Sequence, residues 1–81
     1  MAEIRTADTR ERILDAGERL FMAHGYEGTS MRQITSEASV NLAAVNYHFG
    51  SKESLIQKVF RRRLDWLNEE RMRVLVEMED A

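Results

Sequence analysis

Apolar side chains recur through this sequence at helical rather than alternating intervals, and with no proline present the four glycines at 17, 25, 28 and 50 are its main breakers. Ile13, Ala16, Gly17, Leu20 and Phe21 fall at i, i+3, i+4, i+7 and i+8, one face of an amphipathic helix. Asp8 and Glu11 precede it at capping-box spacing. That spacing predicts a helix start at Asp8, with residues 1–7 as a mobile arm. His24-Gly25 ends the helix, because glycine accepts the left-handed conformation past a helix terminus, and Tyr26-Glu27-Gly28 continues as a loop.

Thr29 and Ser30 then offer a choice of N-cap, and Ser30 with Gln33 makes a second capping box. A short helix over residues 31–38 buries Ile34, Ala38 and Met31. Three residues, Ser39-Val40-Asn41, separate it from another short helix that begins at Leu42 and ends at Phe49-Gly50. Two short helices joined so tightly cannot lie antiparallel and must cross steeply, as in a helix-turn-helix. From Ser51 a longer helix carries Leu55, Ile56, Val59, Phe60, Leu64 and Leu67 on one stripe. The stripe predicts a break at Glu70-Arg71, where both positions are charged, with residues 72–81 as the start of a further helix. The fold class is all-α.

The helix from Leu42 decides what the unit does. With Leu42 set at 0°, steps of about 100° place Val45 near 300° and Phe49 near 340°, which defines the buried side. Ala43 and Tyr47 point away from it, and Ala44 and Asn46 lie on the flanks. A core helix does not set a tyrosine opposite its apolar stripe. Small residues near its start permit close approach to another surface, and the major groove of duplex DNA admits a helix. Asn41, Tyr47 and His48 offer neutral donors to phosphates, and Lys52 adds a point charge.

Charge at first argues against nucleic acid, because the chain has a net charge of −2 and a pI near 5.7. The excess is local. Residues 1–64 carry ten Lys/Arg against eight Asp/Glu, whereas residues 65–81 carry two Arg against six acids. Within residues 28–52, Arg32 and Lys52 face only Glu37. At 81 residues there is room for one core, and the lack of cysteine excludes disulfides and thiolate metal sites. His24 and His48 alone could supply imidazole, so no metal or cofactor is expected. The N-terminus lacks the apolar segment of a secretory signal and no run of about 18 apolar residues spans a bilayer, so the expected location is cytoplasmic, without a membrane role. No nucleophile elbow, glycine-rich phosphate loop or paired carboxylates can be discerned, so an enzyme is not expected.

The run Thr29-Ser30-Met31-Arg32-Gln33-Ile34, then Val40-Asn41-Leu42-Ala43-Ala44-Val45-Asn46-Tyr47-His48-Phe49, then Ser51-Lys52-Glu53-Ser54-Leu55, resembles the signature of the TetR family of bacterial transcriptional regulators. The first-helix pattern Arg12-Ile13-Leu14-Asp15-Ala16 through Leu20-Phe21 and Gly25-Tyr26 joins it, so the resemblance covers roughly residues 9–64. It implies a three-helix DNA-binding head, residues 8–64, whose second and third helices form the helix-turn-helix. Residues 65–81 would then be the end of a connecting helix and the start of a truncated C-terminal domain for ligand binding and dimerisation.

By position, the resemblance assigns Arg32, Leu42, Ala43, Ala44 and Asn46 to base reading and Thr29, Ser30, Asn41, Tyr47, His48 and Lys52 to phosphates. Leu42 sits beside the buried stripe on the wheel, and its methyls can equally meet a thymine methyl. The implied partners are a palindromic double-stranded operator, a second copy in the full-length homodimer, and a small-molecule effector held by a domain absent here. The full-length protein would be a ligand-responsive repressor.

Two departures stand out: Ser39 occupies a turn position where the family carries glycine, at a cost on the order of 1 kcal/mol if left-handed, and the chain stops where the ligand domain should begin. Two rival readings are a helical module that pairs through its long C-terminal helix and ignores DNA, and homeodomain-like recognition, which wants a longer, strongly basic third helix. Arg61-Arg62-Arg63 reads as a solvated face sooner than a phosphate clamp, and Arg5 and Arg10 meet the DNA backbone or nothing.

Overall fold

The computed structural model describes residues 6–80, which form four α-helices. They are α1 (Thr6–His24), α2 (Met31–Ala38), α3 (Leu42–His48) and α4 (Lys52–Asp80). α1 begins earlier than the capping-box spacing implies, and Asp8 lies within its first turn. An acid there complements the positive end of the helix dipole, which the sequence pattern cannot tell from a cap. Thr6 and Ala7 therefore belong to α1 rather than to an arm, and residues 1–5 lie outside the described residues.

The core is built where the first three helices and the start of α4 converge. Ile13, Leu14 and Ala16 from α1, Ile34 and Ala38 from α2, Val45 and Phe49 at α3, and Leu55 and Val59 from α4 bury together. Gly17 lets α4 approach closely, since a Cβ there would stand 3.3 Å from Leu55 Cδ2. α1 packs on all three other helices, so it is the platform on which the α2–α3 pair is held.

α4 departs from the predicted break at Glu70-Arg71 and runs unbroken for 29 residues. The apolar stripe stops there because the helix has left the core, which removes packing but not helicity. Arg73 bonds Glu70 at 2.5 Å and Glu77 at 3.4 Å, one turn to either side, and no glycine or proline interrupts. Its stripe is buried only at Leu55 and Val59 and partly at Ile56, whereas Phe60, Leu64 and Leu67 are exposed. Phe60 and Ile56 face Phe21, Met22 and Tyr26 of α1 and its following loop across an apolar groove of about 430 Å³.

A candidate nucleic-acid interface

The helix-turn-helix is fixed by caps that the sequence announces. Ser30 is the N-cap of α2: its hydroxyl accepts from the Gln33 amide at 3.1 Å, and the Gln33 side chain accepts from the Ser30 amide at 2.7 Å. α2 ends at Ser39, which is left-handed with φ 60° and ψ 45°. The Val40 amide then donates to the Thr35 carbonyl at 3.1 Å, which turns the chain toward α3. Asn41 caps α3 by accepting from the Ala44 amide at 2.9 Å, so its side-chain NH2 remains a donor for another partner.

α3 has the two sides that the helical wheel assigns. Val45 is 0% and Phe49 7% exposed, while Tyr47 is 80% exposed on the opposite side. Leu42, Ala43 and Asn46 are exposed with it. Leu42 was the ambiguous position, and it lies outside the core. Ala44 is half-buried against the core, so of the two alanines Ala43 alone lies fully in the open. The Tyr47 and His48 rings meet edge to face, with centroids 5.0 Å apart. Arg32 and Ser30 are exposed on α2. Glu37 is held by Arg19 of α1 at 3.0 Å, which neutralises the one carboxylate between residues 28 and 52.

Two residues assigned to phosphates are turned inward. Thr29 is 2% exposed, and its hydroxyl lies 3.1 Å from the Leu20 carbonyl and 2.8 Å from that of Gly25. It is a plug that ties the α1–α2 loop to the end of α1, because a lone threonine before a helix can serve as cap or core and Ser30 takes the cap. Lys52 directs its ammonium to the carbonyls of Tyr26 and Thr29, each at 2.9 Å, and over the Tyr26 ring at 4.2 Å from its centroid.

Sequence reasoning missed the part played by Arg12 and took Arg62 for part of a solvated face, whereas the structure pairs it with α1. Arg12 of α1 donates to the carbonyls of Ala38 at 2.7 Å and Ser39 at 3.0 Å, and so caps the end of α2 at the turn. Arg62 of α4 donates to Glu18 at 2.6 Å, Asp15 at 2.9 Å and Glu11 at 3.0 Å, all on α1. Burial opposes its charged form, but its hydrogen bonds to the carboxylates of Glu18, Asp15 and Glu11 outweigh burial and raise its pKa. The 3–4 spacing of Glu11, Asp15 and Glu18 was the available signal for a cation on a neighbouring helix. Arg10, partly exposed, lies over the Phe49 ring at the end of α3, 5.3 Å from its centroid.

A short helix joined to its neighbour by a capped three-residue turn, anchored by Val45 and Phe49 and with Tyr47, Ala43 and Asn46 open, defines a helix-turn-helix protein. The family model described as "Bacterial regulatory proteins, tetR family" matches residues 13–59. The chain belongs to the TetR family. It is 38% identical over 78 residues to the nicotine-responsive transcriptional repressor HdnoR of Paenarthrobacter nicotinovorans, covering 96% of this chain and 40% of that one. It is 47% identical over 49 residues to the transcriptional regulator LmrA of Bacillus subtilis, covering 59% of this chain and 26% of that one. The crystal structure of HlyIIR, a hemolysin II transcriptional regulator, matches 70% of this chain and 32% of its own, with a TM-score of 0.67 and 44% identity. The chain thus spans well under half the length of these relatives.

Proposed function

We propose that this chain is the DNA-binding head of a ligand-responsive transcriptional repressor. Its α3 enters the major groove of a palindromic operator. Leu42, Ala43 and Asn46 meet base edges, with Ala44 behind them as a spacer and Arg32 reaching a base or phosphate from α2. Ser30, Asn41, Tyr47 and His48 grip the flanking phosphates by hydrogen bonds from neutral groups, so a chain of net charge −2 needs no basic recognition helix. The observation that carries the reading is the 80% exposure of Tyr47 on a helix anchored from behind by Val45 and Phe49. An aromatic hydroxyl set open beside small residues is shaped for an external partner.

The exposed apolar face of α4, including Leu64, Leu67, Leu75 and Met78, supports the further reading that the working protein is a homodimer whose effector binds beyond this head. Action in the cytoplasm follows from an operator on bacterial DNA. The test is selection of duplexes from a random pool, followed by fluorescence anisotropy on the selected sequence. Tyr47→Ala should weaken binding to selected and scrambled duplexes alike, by roughly 5- to 30-fold for one lost phosphate contact of about 1–2 kcal/mol. Unchanged affinity in that variant would remove Tyr47 from the interface.

A further inference from the structure

We propose that Lys52 is a positioning residue, which ties the start of α2 to the end of α3 and so fixes the angle at which α3 meets DNA; the inference rests on the DNA-binding reading above. Lys52 opens α4, where the helix dipole disfavours a cation. Its side chain turns back from that end. The ammonium donates to the Tyr26 and Thr29 carbonyls, both at 2.9 Å, and lies over the Tyr26 ring. Two of its three donors are thereby engaged within the protein.

The carbonyls it holds belong to a fixed loop. Tyr26 stacks on Phe21 with centroids 6.0 Å apart, and the Thr29 hydroxyl is bonded to Leu20 and Gly25. Thr29 directly precedes Ser30, the cap of α2, and Lys52 lies three residues beyond Phe49, the cap of α3. The lysine therefore closes the open end of the α2–α3 wedge. Arg12 braces the other end through Ala38 and Ser39. With both ends held, the crossing angle cannot relax without breaking charge-assisted hydrogen bonds in partly buried positions.

A strap and a phosphate contact separate in the salt dependence of binding. Lys52→Met should bind the selected duplex about tenfold more weakly, with the wild-type slope of log Kd against log salt. In the free protein, the Thr29 and Ser30 amides should exchange faster. Lys52→Arg, which keeps the donors, should recover most of the affinity and protection. A slope reduced by about one unit, with amide exchange unchanged, would overturn the proposal and return Lys52 to the phosphates.

Should Lys52→Met not fold, the unmodified chain decides. The ¹⁵N resonance of the Lys52 ammonium should be protected before DNA is added and unmoved afterwards, and a shift on DNA binding would count against the strap. If the chain binds no duplex at all, the DNA reading fails by itself. The loop amides of Lys52→Met, or the protected ammonium in the unmodified chain, still test the strap.

Discussion

Single residues set the turn on which this head depends, and Ser39 is the plainest case. Its φ of 60° is the one left-handed conformation among the described non-glycine residues. A Cβ in that region crowds the following carbonyl, at about 1 kcal/mol. The geometry survives because Arg12 holds the Ser39 carbonyl and the Val40 amide closes onto Thr35. Ser39→Gly should therefore stabilise the protein by up to about 1 kcal/mol, read as a higher urea midpoint with unchanged slope. A clear loss of stability instead would mean that the strain at Ser39 is smaller than the extra chain entropy glycine gives the unfolded state. Thr29 and Ser30 teach the complementary lesson. Both are hydroxyl residues before a helix and alike by type, yet one plugs the loop and the other caps α2.

At the scale of elements, caps and periodicity made α2 and α3 legible, because Ser30, Gln33, Asn41 and Gly50 act on backbone a few residues away. The open face of α3 was legible for the same reason: Tyr47 opposes Val45 and Phe49 by helical geometry alone. What bridges distant segments was not legible. Arg12 is 26 residues from Ala38, Lys52 is 23 from Thr29, and Arg62 is 51 from Glu11. No local pattern records which carbonyl or carboxylate a long cationic side chain will reach. The unbroken α4 was missed because loss of an apolar stripe looks the same in sequence whether a helix ends or leaves the core. Arg62 gives this scale its prediction. Arg62→Met keeps the bulk of the side chain but takes the shared cation from Glu11, Asp15 and Glu18, leaving Glu18 only Arg63 at 3.2 Å. The loss should be about 1–2 kcal/mol in low salt, shrinking as salt screens the partly exposed cluster. Its folded pKa is raised, so its contribution is complete below its ordinary value and lost only as pH climbs through the higher one. On the guanidinium side, thermal midpoints should thus not change from pH 6 to pH 9. A loss insensitive to salt would assign Arg62 to packing alone.

The described residues span 49 × 37 × 18 Å, with the proposed recognition face on the packed α1–α3 part and the exposed end of α4 extending beyond it. At about 1.5 Å per residue, α4 extends some 40 Å, and the chain's excess of acids over bases lies along its distal part, where residues 65–81 carry six acids against two Arg. Keeping acids far from α3 matters because field effects on phosphates fade over roughly 8–10 Å at moderate salt. That separation reconciles an acidic chain with the phosphate-binding face proposed above. It also says where affinity must come from. One head presents a seven-residue helix and few cations, too little surface for a tight specific complex. Two heads on a palindrome convert the second contact into an intramolecular one, raising affinity by roughly 10²–10⁴ without any new contact. The chain fused after α4 to a dimerising coiled coil, through a linker long enough to let both heads reach sites one helical turn apart, should gain that factor on a full palindrome. It should gain little on a half-site. Equal affinity for fused and unfused chains on the palindrome, with the half-site bound as tightly, would mean that a single head suffices and that α4 has no part in pairing.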